Sequence, residues 1–211
     1  VPKPKHAKLL GLTGVFSLKK DEEGRITKFK YRSCVQGFRQ RYGVDYDRTF
    51  APVAGAAAIR LALAISSAFR FHTRQFDVSG AFLNADIDRV IHVAPPPLYP
   101  LQNPSHVLRL AKAQYGTKQA AHLWFKQLQK SLRAAGLVPC PSEPCLLFRR
   151  TTSELTLVAI HVDDGIICST NPESIKDIIS HLNKSFKTKS GDVCTFLGSR
   201  ITESPQGVHL S

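Results

Sequence analysis

Two adjacent acidic residues interrupt an otherwise apolar stretch late in the chain, LTLVAIHVDDGIICS (residues 155–169). The Leu, Val and Ile residues on either side predict two β-strands, and Asp164 followed by Gly165 is a typical two-residue hairpin turn because both residues tolerate a positive φ. Asp163 and Asp164 would then lie at the tip of a hairpin. Two interpretations stay open at this point: an ordinary soluble turn, or paired carboxylates that bind a divalent metal together with a third acid.

Composition limits the function classes. The chain has 211 residues, with Lys+Arg 29 against Asp+Glu 16 and a net charge of +13. Such a basic balance predicts a polyanionic partner, most simply a nucleic acid, while the 43% hydrophobic content argues against a disordered basic tail. The five cysteines are odd in number and scattered, which favours reduced thiols in an intracellular protein. No apolar run has the length of a membrane span.

A basic β-ribbon is predicted near the beginning of the chain. The stretch LTGVFSLKKDEEGRITKFKYRSCVQGF (residues 12–38) divides into two strands joined by a turn at residues 21–24. Positive charges cluster around that turn at Lys19, Lys20, Lys28, Lys30 and Arg32. The alternative is a solvated hairpin whose lysines only face water.

Hydrophobic spacing predicts three helices. Residues 54–71 are rich in Ala and Leu, residues 121–136 carry apolar positions at Leu123, Phe125, Leu128 and Leu132, and residues 171–186 repeat Ile, Leu and Phe at steps of three and four. In the last of these, Asn171 is expected to cap the helix and Pro172 to occupy its first turn.

A third acid is expected from the stretch RQFDVSGAFLN, where Asp77 lies near the end of a predicted strand just before a Ser-Gly turn. An antiparallel sheet with helices packed on one face would bring the end of that strand beside the acidic hairpin. Spacing alone does not establish this pairing, but it is where a third carboxylate would have to come from.

Five blocks carry a family resemblance: YGVDYDRTFAPV (42–53), QFDVSGAFLN (75–84), YGTKQAAHLWF (115–125), SEPCLLF (142–148) and HVDDGII (161–167). In order and spacing they resemble the reverse transcriptase region of copia-type LTR retrotransposon Pol polyproteins. The resemblance implies an α+β right-hand polymerase fold: basic fingers, mainly within residues 1–75, and a palm with a ferredoxin-like sheet, mainly within 76–211, to which 95–120 adds part of the fingers. It also implies that the family's thumb and RNase H regions lie beyond this chain.

The resemblance implies the chemistry as well. Asp77, Asp163 and Asp164 match the catalytic carboxylates, which with Val78 hold two Mg²⁺ ions, or Mn²⁺ in their place. In the family, such acids serve the attack of a primer 3′-hydroxyl on the α-phosphate of a dNTP. The fragment by itself is expected to grip a duplex poorly without a thumb.

Further positions match the family's substrate contacts. Phe82 resembles an aromatic steric gate against the ribose 2′-hydroxyl, with a buried core Phe as the alternative. Nucleotide-binding roles are implied for Lys30, Arg32, Ser79, Gly80, Ala81, Tyr115 and Gly116. Template or primer contacts are implied for Lys118, Gln119, His161 and Val162.

Departures from the family pattern leave a second function class open. His161 stands where the family usually has Tyr, Ser79 where it has Lys, Ala121 where it has Pro and Gly14 where it has Trp. The first class is an RNA-directed DNA polymerase that uses RNA and DNA templates, a primer and dNTPs, alongside the protease, integrase and RNase H of its polyprotein, in cytoplasmic virus-like particles and later in the nucleus. The second is a catalytically decayed, nucleic-acid-binding remnant, and a metal-dependent nuclease ranks third.

Overall fold

The computed structural model of the chain describes residues 1–21, 23–96, 99, 101–204 and 207–210. It is a mixed α/β structure that divides into two compact units. The first unit comprises Val1–Phe50 and Phe82–Trp124, and the second comprises Ala51–Ala81 and Phe125–Ser211. The sequence analysis expected a domain boundary after residue 75, with residues 95–120 belonging again to the first domain. In the structure the chain returns to the first unit over Phe82–Trp124.

The regular elements of the described residues are short strands and three α-helices. The helices are α1 (Ala56–Ala68), α2 (Ala120–Ala134) and α3 (Pro172–Asn183). The strands are β1 (Leu9–Leu10), β2 (Leu12–Lys20), β3 (Ile26–Val35), β4 (His72–Val78), β5 (His92–Val93), β6 (Leu108–Arg109), β7 (Val138–Cys140), β8 (Glu143–Arg150), β9 (Leu155–His161), β10 (Asp164–Ser169), β11 (Thr188–Gly191), β12 (Thr195–Phe196), β13 (Ser199–Ser204) and β14 (Gly207–Leu210). Single 3₁₀ turns lie at Gly37–Arg39 and Ala81–Asn84.

The first unit contains two small sheets. In one of them β1 runs parallel to β5, and β5 is antiparallel to β6. Leu10, Val35, Ile91 and Val93 form a buried cluster in this unit. The other sheet is the ribbon of β2 and β3.

The ribbon confirms the predicted pair of strands, and Lys19, Lys28, Lys30 and Arg32 share one of its faces. Cross-strand pairs place Val15 opposite Arg32, Ser17 opposite Lys30 and Lys19 opposite Lys28 on that face. Because side chains alternate across a strand, the pairs Phe16–Tyr31 and Leu18–Phe29 lie on the other face, and all four of these side chains are exposed. The predicted turn is present, with Gly24 N donating to Asp21 O at 3.1 Å, while Glu22 lies outside the described residues.

The second unit is built on a six-stranded sheet in the order β11-β4-β10-β9-β8-β7, with every neighbouring pair antiparallel. Helix α1 packs against β9 and β10, and α3 packs against β4, β10 and β11. The central strands β9 and β10 are almost continuously buried, which explains their unbroken apolar runs. A separate three-stranded sheet, β12-β13-β14, completes the unit.

The three predicted helices are confirmed. Helix α3 begins as expected, because the Oδ1 of Asn171 accepts a hydrogen bond from Glu173 N at 3.0 Å and Pro172 occupies the first turn. Its Ile175, Ile178 and Leu182 are buried. In α2 the buried stripe is Trp124, Leu128 and Leu132; Leu123 and Phe125, which the sequence placed on that face, are only half-buried.

Two smaller expectations concern the Pro-rich loop and the cysteines. Pro95, Pro96 and Tyr99 lie outside helices and strands, while Pro97, Leu98 and Pro100 are not among the described residues. All five cysteines are free. No helix among the described residues has the length and apolar character needed to cross a membrane.

Candidate active site

The acidic hairpin has its turn two positions earlier than the sequence predicted. Strand β9 ends at His161 and β10 begins at Asp164, so the two-residue connection is Val162–Asp163. The prediction of an Asp164–Gly165 turn was therefore wrong. Asp164 is already a strand residue, paired with His161 on one side. Val162 takes the positive φ instead, at 57°, an uncommon conformation for a β-branched residue.

Gly165 is needed for close packing and not for a turn. A Cβ at this position would lie 2.3 Å from Cζ of Phe76 and 3.0 Å from the carbonyl oxygen of Ala159. Phe76 is 1% exposed and packs directly over the strand. The glycine signal in the sequence was real, but its cause is the approach of a buried ring from β4.

The third acid comes from β4, as predicted. β4 pairs antiparallel with β10, and the register sets Asp77 directly opposite Asp164. Directly opposed side chains of an antiparallel pair share one face of the sheet, with Cβ atoms about 5 Å apart. The amide of Val78 donates to the carbonyl oxygen of Asp163 at 2.8 Å, which ties the turn to the end of β4. Asp77, Asp163 and Asp164 are thus gathered at one end of the second unit's sheet.

The three carboxylates interact electrostatically. Partial burial of Asp164 raises the pKa of its carboxyl to about 6, with the neighbouring charges of Asp163 and then Asp77 adding to the rise and His161 opposing it. A hydrogen bond with Asp77 acts in the same direction as the burial. The cluster therefore holds negative charge at a free-energy cost that a bound cation would relieve.

The donor set fits a hard divalent cation, although the side chains are not preassembled around one. Carboxylate oxygens are the ligands that Mg²⁺ prefers, and Asp77 and Asp164 already share a hydrogen bond. Within the described part of the chain, no three His, Cys, Asp or Glu side chains are arranged as a ready metal site. The side chain of Val78 has no atom that can bind a metal, so only its backbone carbonyl could serve as a ligand.

The turn after β4 is tied into the same sheet. Ser79 N donates to Lys187 O at 2.9 Å, and Val78 N is engaged with Asp163 as described above. These two amides are committed to protein carbonyls and do not face an anion. Gly80 has a φ of 65°, which favours glycine there, and Ala81 is buried. His161 is half-buried, and its Nδ1 has no hydrogen-bond partner among the described residues.

The other predicted site residues belong to the first unit, where Tyr115 is central. Its ring lies 4.5 Å from the ring of Phe82, at an interplanar angle of 56°. The guanidinium carbon of Arg32 lies 5.8 Å from the centre of the Tyr115 ring, within the range of a cation–π contact. Phe82 and Tyr115 are half-buried, and Phe82 also packs against the buried cluster of Ala85, Ala113 and Ala120.

Gly116, Lys118 and Gln119 follow Tyr115 with different environments. Gly116 has a φ of 89°, and a Cβ there would lie 2.0 Å from Val35 O. The side chain of Lys118 is exposed. The side chain of Gln119 is 0% exposed and bonds to Gln40 and Asp88, so its amide has no surface with which to contact a template.

Sequence reasoning missed Gln40. Its side chain is 7% exposed and hydrogen-bonds to Gln119 and to the backbone of Lys118. A buried amide in a loop has no periodicity that marks it, and the neighbouring arginines, Arg39 and Arg41, make the segment look solvated. The signal that could have found it is the close pair of glycines at 37 and 43, which indicates a tightly folded loop.

A family model and curated relatives both connect this chain to reverse transcriptases and Pol polyproteins. The family model described as "Reverse transcriptase (RNA-dependent DNA polymerase)" matches residues 1–211. The chain is 30% identical to the retrovirus-related Pol polyprotein from transposon RE1 of Arabidopsis thaliana and 32% identical to that from transposon RE2 of the same plant, over 100% of this chain in both cases. It is 31% identical to the Pol polyprotein from transposon TNT 1-94 of Nicotiana tabacum over 94% of the chain. These alignments span 14%, 15% and 15% of the respective polyproteins.

Proposed function

The chain belongs to the reverse transcriptase (RNA-dependent DNA polymerase) family, and we propose that it performs the template-directed transfer of dNMP to a primer 3′-hydroxyl in the cDNA synthesis of a copia-type retrotransposon. The templates are RNA and then DNA, and the other substrates are a nucleic-acid primer and dNTPs. The remaining partners are the RNase H, integrase and protease of the same polyprotein. The proposed setting is a cytoplasmic virus-like particle, with a later nuclear stage.

One observation carries the proposal: Asp77 and Asp164 are paired across two strands, with Asp163 in the adjoining turn. We propose that Asp77, Asp163, Asp164 and the carbonyl of Val78 hold two Mg²⁺ ions. When bound, Mg²⁺ supplies positive charge that lowers the pKa of the primer hydroxyl and neutralises charge on the phosphate oxygens. The chain itself fixes the carboxylates of Asp77 and Asp164 through the β4–β10 register. It fixes Asp163 through the hydrogen bond from Val78 N to Asp163 O.

Each unit supplies some of the proposed nucleotide, template and primer contacts. Arg32 and Lys30, which share the basic face of the ribbon, would bind the β and γ phosphates. Phe82 would exclude the ribose 2′-hydroxyl, with Tyr115 and Gly116 beside it. In the second unit, Gly80 and Ala81 in the turn after β4 would approach the triphosphate with their backbone, and Ser79 would contribute only its hydroxyl because its amide bonds to Lys187 O. His161 and Val162 would contact the primer. Lys118 of the first unit would contact the template backbone. Since Gln119 is buried, we propose that it acts on the template only through the position of Lys118.

The proposed architecture is a right-hand polymerase. We interpret the first unit as mainly fingers and the second as mainly palm. Four neighbouring strands of the sheet lie in the order β11-β4-β10-β9. If these four are numbered one to four in chain order, the spatial order is 4-1-3-2, which is the strand order of a ferredoxin-like sheet. This order supports the palm interpretation, because it is the arrangement that sets the first acid's strand beside the hairpin's second strand. The family's thumb and RNase H would follow in the polyprotein.

The test is nucleotide incorporation on a primed RNA template, with the chain in the context of its Pol polyprotein. We expect Mg²⁺-dependent incorporation that is abolished by Asp77→Asn and by Asp163→Asn. Asp177→Asn is the matched control, because Asp177 is an exposed acid on α3 outside the carboxylate cluster and its loss should leave the rate unchanged. Incorporation by the Asp77→Asn variant at the wild-type rate would refute the proposed site.

Metal binding has a readout that does not need activity. We expect Mg²⁺ or Mn²⁺ to raise the melting temperature of the wild-type chain, because a cation that binds only the folded state stabilises it by mass action. The rise should disappear in the Asp77→Asn variant and persist in the Asp177→Asn control. Equal stabilisation of all three proteins would mean that the metal binds elsewhere.

A second candidate, a catalytically decayed nucleic-acid-binding remnant, is favoured by the net charge of +13 and by the lysines on one face of the ribbon. Under this alternative a folded chain would bind primer–template without incorporating any nucleotide. Binding should weaken steeply with salt, and Lys28→Gln should reduce the magnitude of the salt slope by about one if Lys28 contacts a phosphate. Incorporation lost in Asp163→Asn would exclude this alternative.

A further inference from the structure

A pair of buried glutamine side chains joins three segments of the first unit. The Nε2 of Gln40 donates to the Oε1 of Gln119 at 3.0 Å. The Nε2 of Gln119 donates to the carbonyl oxygen of Asp45 at 2.9 Å and to Oδ1 of Asp88 at 3.2 Å. Gln40 is 7% exposed and Gln119 0%. We call these two side chains the glutamine pair.

The orientation of both amides follows from their partners. The backbone N–H of Lys118 donates to Oε1 of Gln40 at 2.7 Å, so the oxygen of Gln40 must face Lys118 and its NH₂ group must face Gln119. The oxygen of Gln119 then accepts from Gln40, and its NH₂ group is left for Asp45 and Asp88. Turning either amide over would place two donors or two acceptors together. The pair is therefore a defined link and not a loose polar contact.

The segment that the glutamine pair holds contains Tyr115. The carbonyl oxygen of Tyr115 accepts from Val35 N at 2.8 Å, and Gly116 approaches so closely that a Cβ there would lie 2.0 Å from Val35 O. Gly37 closes on the same segment, since a Cβ at 37 would lie 1.9 Å from Gly116 O. The backbone from Tyr115 to Lys118 is thus held at one end by β3 and at the other end by Gln40.

The ring of Tyr115 in turn contacts two proposed nucleotide-binding side chains. Phe82 lies 4.5 Å from it and Arg32 5.8 Å from it. A steric gate excludes a 2′-hydroxyl only if the aromatic ring cannot retreat. Phe82 packs against the buried cluster of Ala85, Ala113 and Ala120 on one side and contacts the Tyr115 ring on another. The position of Tyr115 is set by the backbone that Gln40 holds.

We propose that Gln40 is a positioning residue for sugar selection: through Gln119 and Lys118 it fixes Tyr115, and Tyr115 supports Phe82 against the ribose 2′-hydroxyl. The inference rests on the proposed function, because it takes Phe82 as the gate. It adds a residue whose buried amide touches no nucleotide, and it gives the buried Gln119 a role other than template contact.

The first measurement needs no nucleotide and tests whether Gln40 holds the backbone of residues 115–119. Hydrogen exchange followed by mass spectrometry should show faster exchange over residues 115–119 in Gln40→Leu than in the wild type, because the Lys118 N–H loses its acceptor. Gln36→Leu is the matched control: Gln36 belongs to the same unit, and its side chain bonds to Thr13 instead of the 115–119 segment. Unchanged exchange over 115–119 in Gln40→Leu would overturn the inference.

The second measurement tests the preference for a deoxyribonucleotide over a ribonucleotide from binding alone, because no nucleotide is incorporated. A dideoxy-terminated primer on an RNA template captures the next nucleotide as a ternary complex, and the binding constants of dCTP and CTP give the discrimination. We expect discrimination to fall about tenfold in Gln40→Leu, which is less than the roughly hundredfold rate loss that a 1 Å misplacement far from the reacting atoms can cause. Gln36→Leu should discriminate as the wild type does.

A double variant separates positioning from stability. Gln40→Leu alone leaves the Oε1 of Gln119 buried without a donor. Gln40→Leu combined with Gln119→Leu removes that oxygen but takes the Gln119 donor away from Asp45 O, so the two variants leave different polar groups unpaired and should differ in stability. We expect the double variant to remain as poorly discriminating as the single one, because the Lys118 N–H still lacks its acceptor. Recovery of discrimination together with stability would overturn the positioning role.

The outcomes for the two proposals are distinguishable. If the wild-type chain binds neither nucleotide with primer–template, the proposed function fails and the sugar-selection role of Gln40 fails with it. If the wild type prefers dCTP and Gln40→Leu keeps the full preference, the proposed function stands and the inference about Gln40 is refuted.

Discussion

Replacement of Gly165 by alanine should destabilise the second unit, because β10 has no room for a Cβ at this position. The added atom would lie 2.3 Å from Cζ and 2.4 Å from Cε1 of Phe76, whereas carbon atoms in ordinary contact stay about 3.5–4.0 Å apart. The Phe76 ring would have to move by more than about 1 Å. It is 1% exposed, so its displacement disturbs a filled core, and overpacking of this kind costs about 1–3 kcal/mol.

Urea denaturation followed by circular dichroism measures this loss. We expect the free energy of unfolding to fall by about 2 kcal/mol, which for a unit of this size corresponds to about 6–10 °C in Tm. The matched control is Gly191→Ala in β11 of the same sheet, where a Cβ would meet no heavy atom within 4 Å. That change should be neutral or stabilising, by up to about 1 kcal/mol. A Gly165→Ala variant as stable as the wild type would refute the packing explanation.

Three further outcomes can be checked on the isolated chain. Asn171→Ala removes the cap of α3 and should cost about 1 kcal/mol in urea denaturation, while Asn171→Ser, which can still cap, should cost less; equal losses would contradict the capping role. Hydrogen bonds from Asn171 and then Ser174 lower the pKa of Glu154 in the folded state. The ionised Glu154 therefore stabilises the fold above the pKa that it has in the unfolded chain, and this stabilisation is lost as the pH falls through the lower pKa of the folded state. Glu154→Gln should therefore flatten the acid limb of the stability–pH curve, and an unchanged curve would count against those bonds. Burial raises the pKa of the Cys145 thiol to about 12, so iodoacetamide at pH 8 should modify exposed Cys194 and leave Cys145 unmodified until urea is added.

Much of the secondary structure could be predicted from local patterns. Helix α3 is the clearest case: Asn171, Pro172 and the apolar repeat each act within one or two turns, so the sequence contains everything that decides where the helix begins and which face it buries. The two strands of the ribbon could also be predicted from their own residues and from the turn between them. In α2 the pattern was right about Leu128 and Leu132 but missed Trp124, because a wide apolar stripe does not show which of its members reach the core.

The candidate site was predictable in identity and only partly in geometry. Asp163 and Asp164 stand out as adjacent acids between apolar strands, whereas Asp77 was identified through an expected strand end and the family resemblance. The position of the turn was misjudged because Asp-Gly is a strong local turn signal, and that preference was overridden by the pairing of Asp164 with both neighbouring strands. Gln40 was missed altogether, because its importance comes from partners in distant parts of the chain.

Propensity, periodicity and capping act over a few residues. The helices, the apolar strands, the two-stranded ribbon and the available acidic residues can therefore be derived from the amino-acid sequence. Three other features follow only from the folded chain: Asp77 lies opposite Asp164, Gly165 accommodates Phe76, and Gln119 is hydrogen-bonded inside the first unit. These are contacts between segments far apart in the chain. They depend on strand register and on which polar groups lose access to water, and no local pattern encodes either.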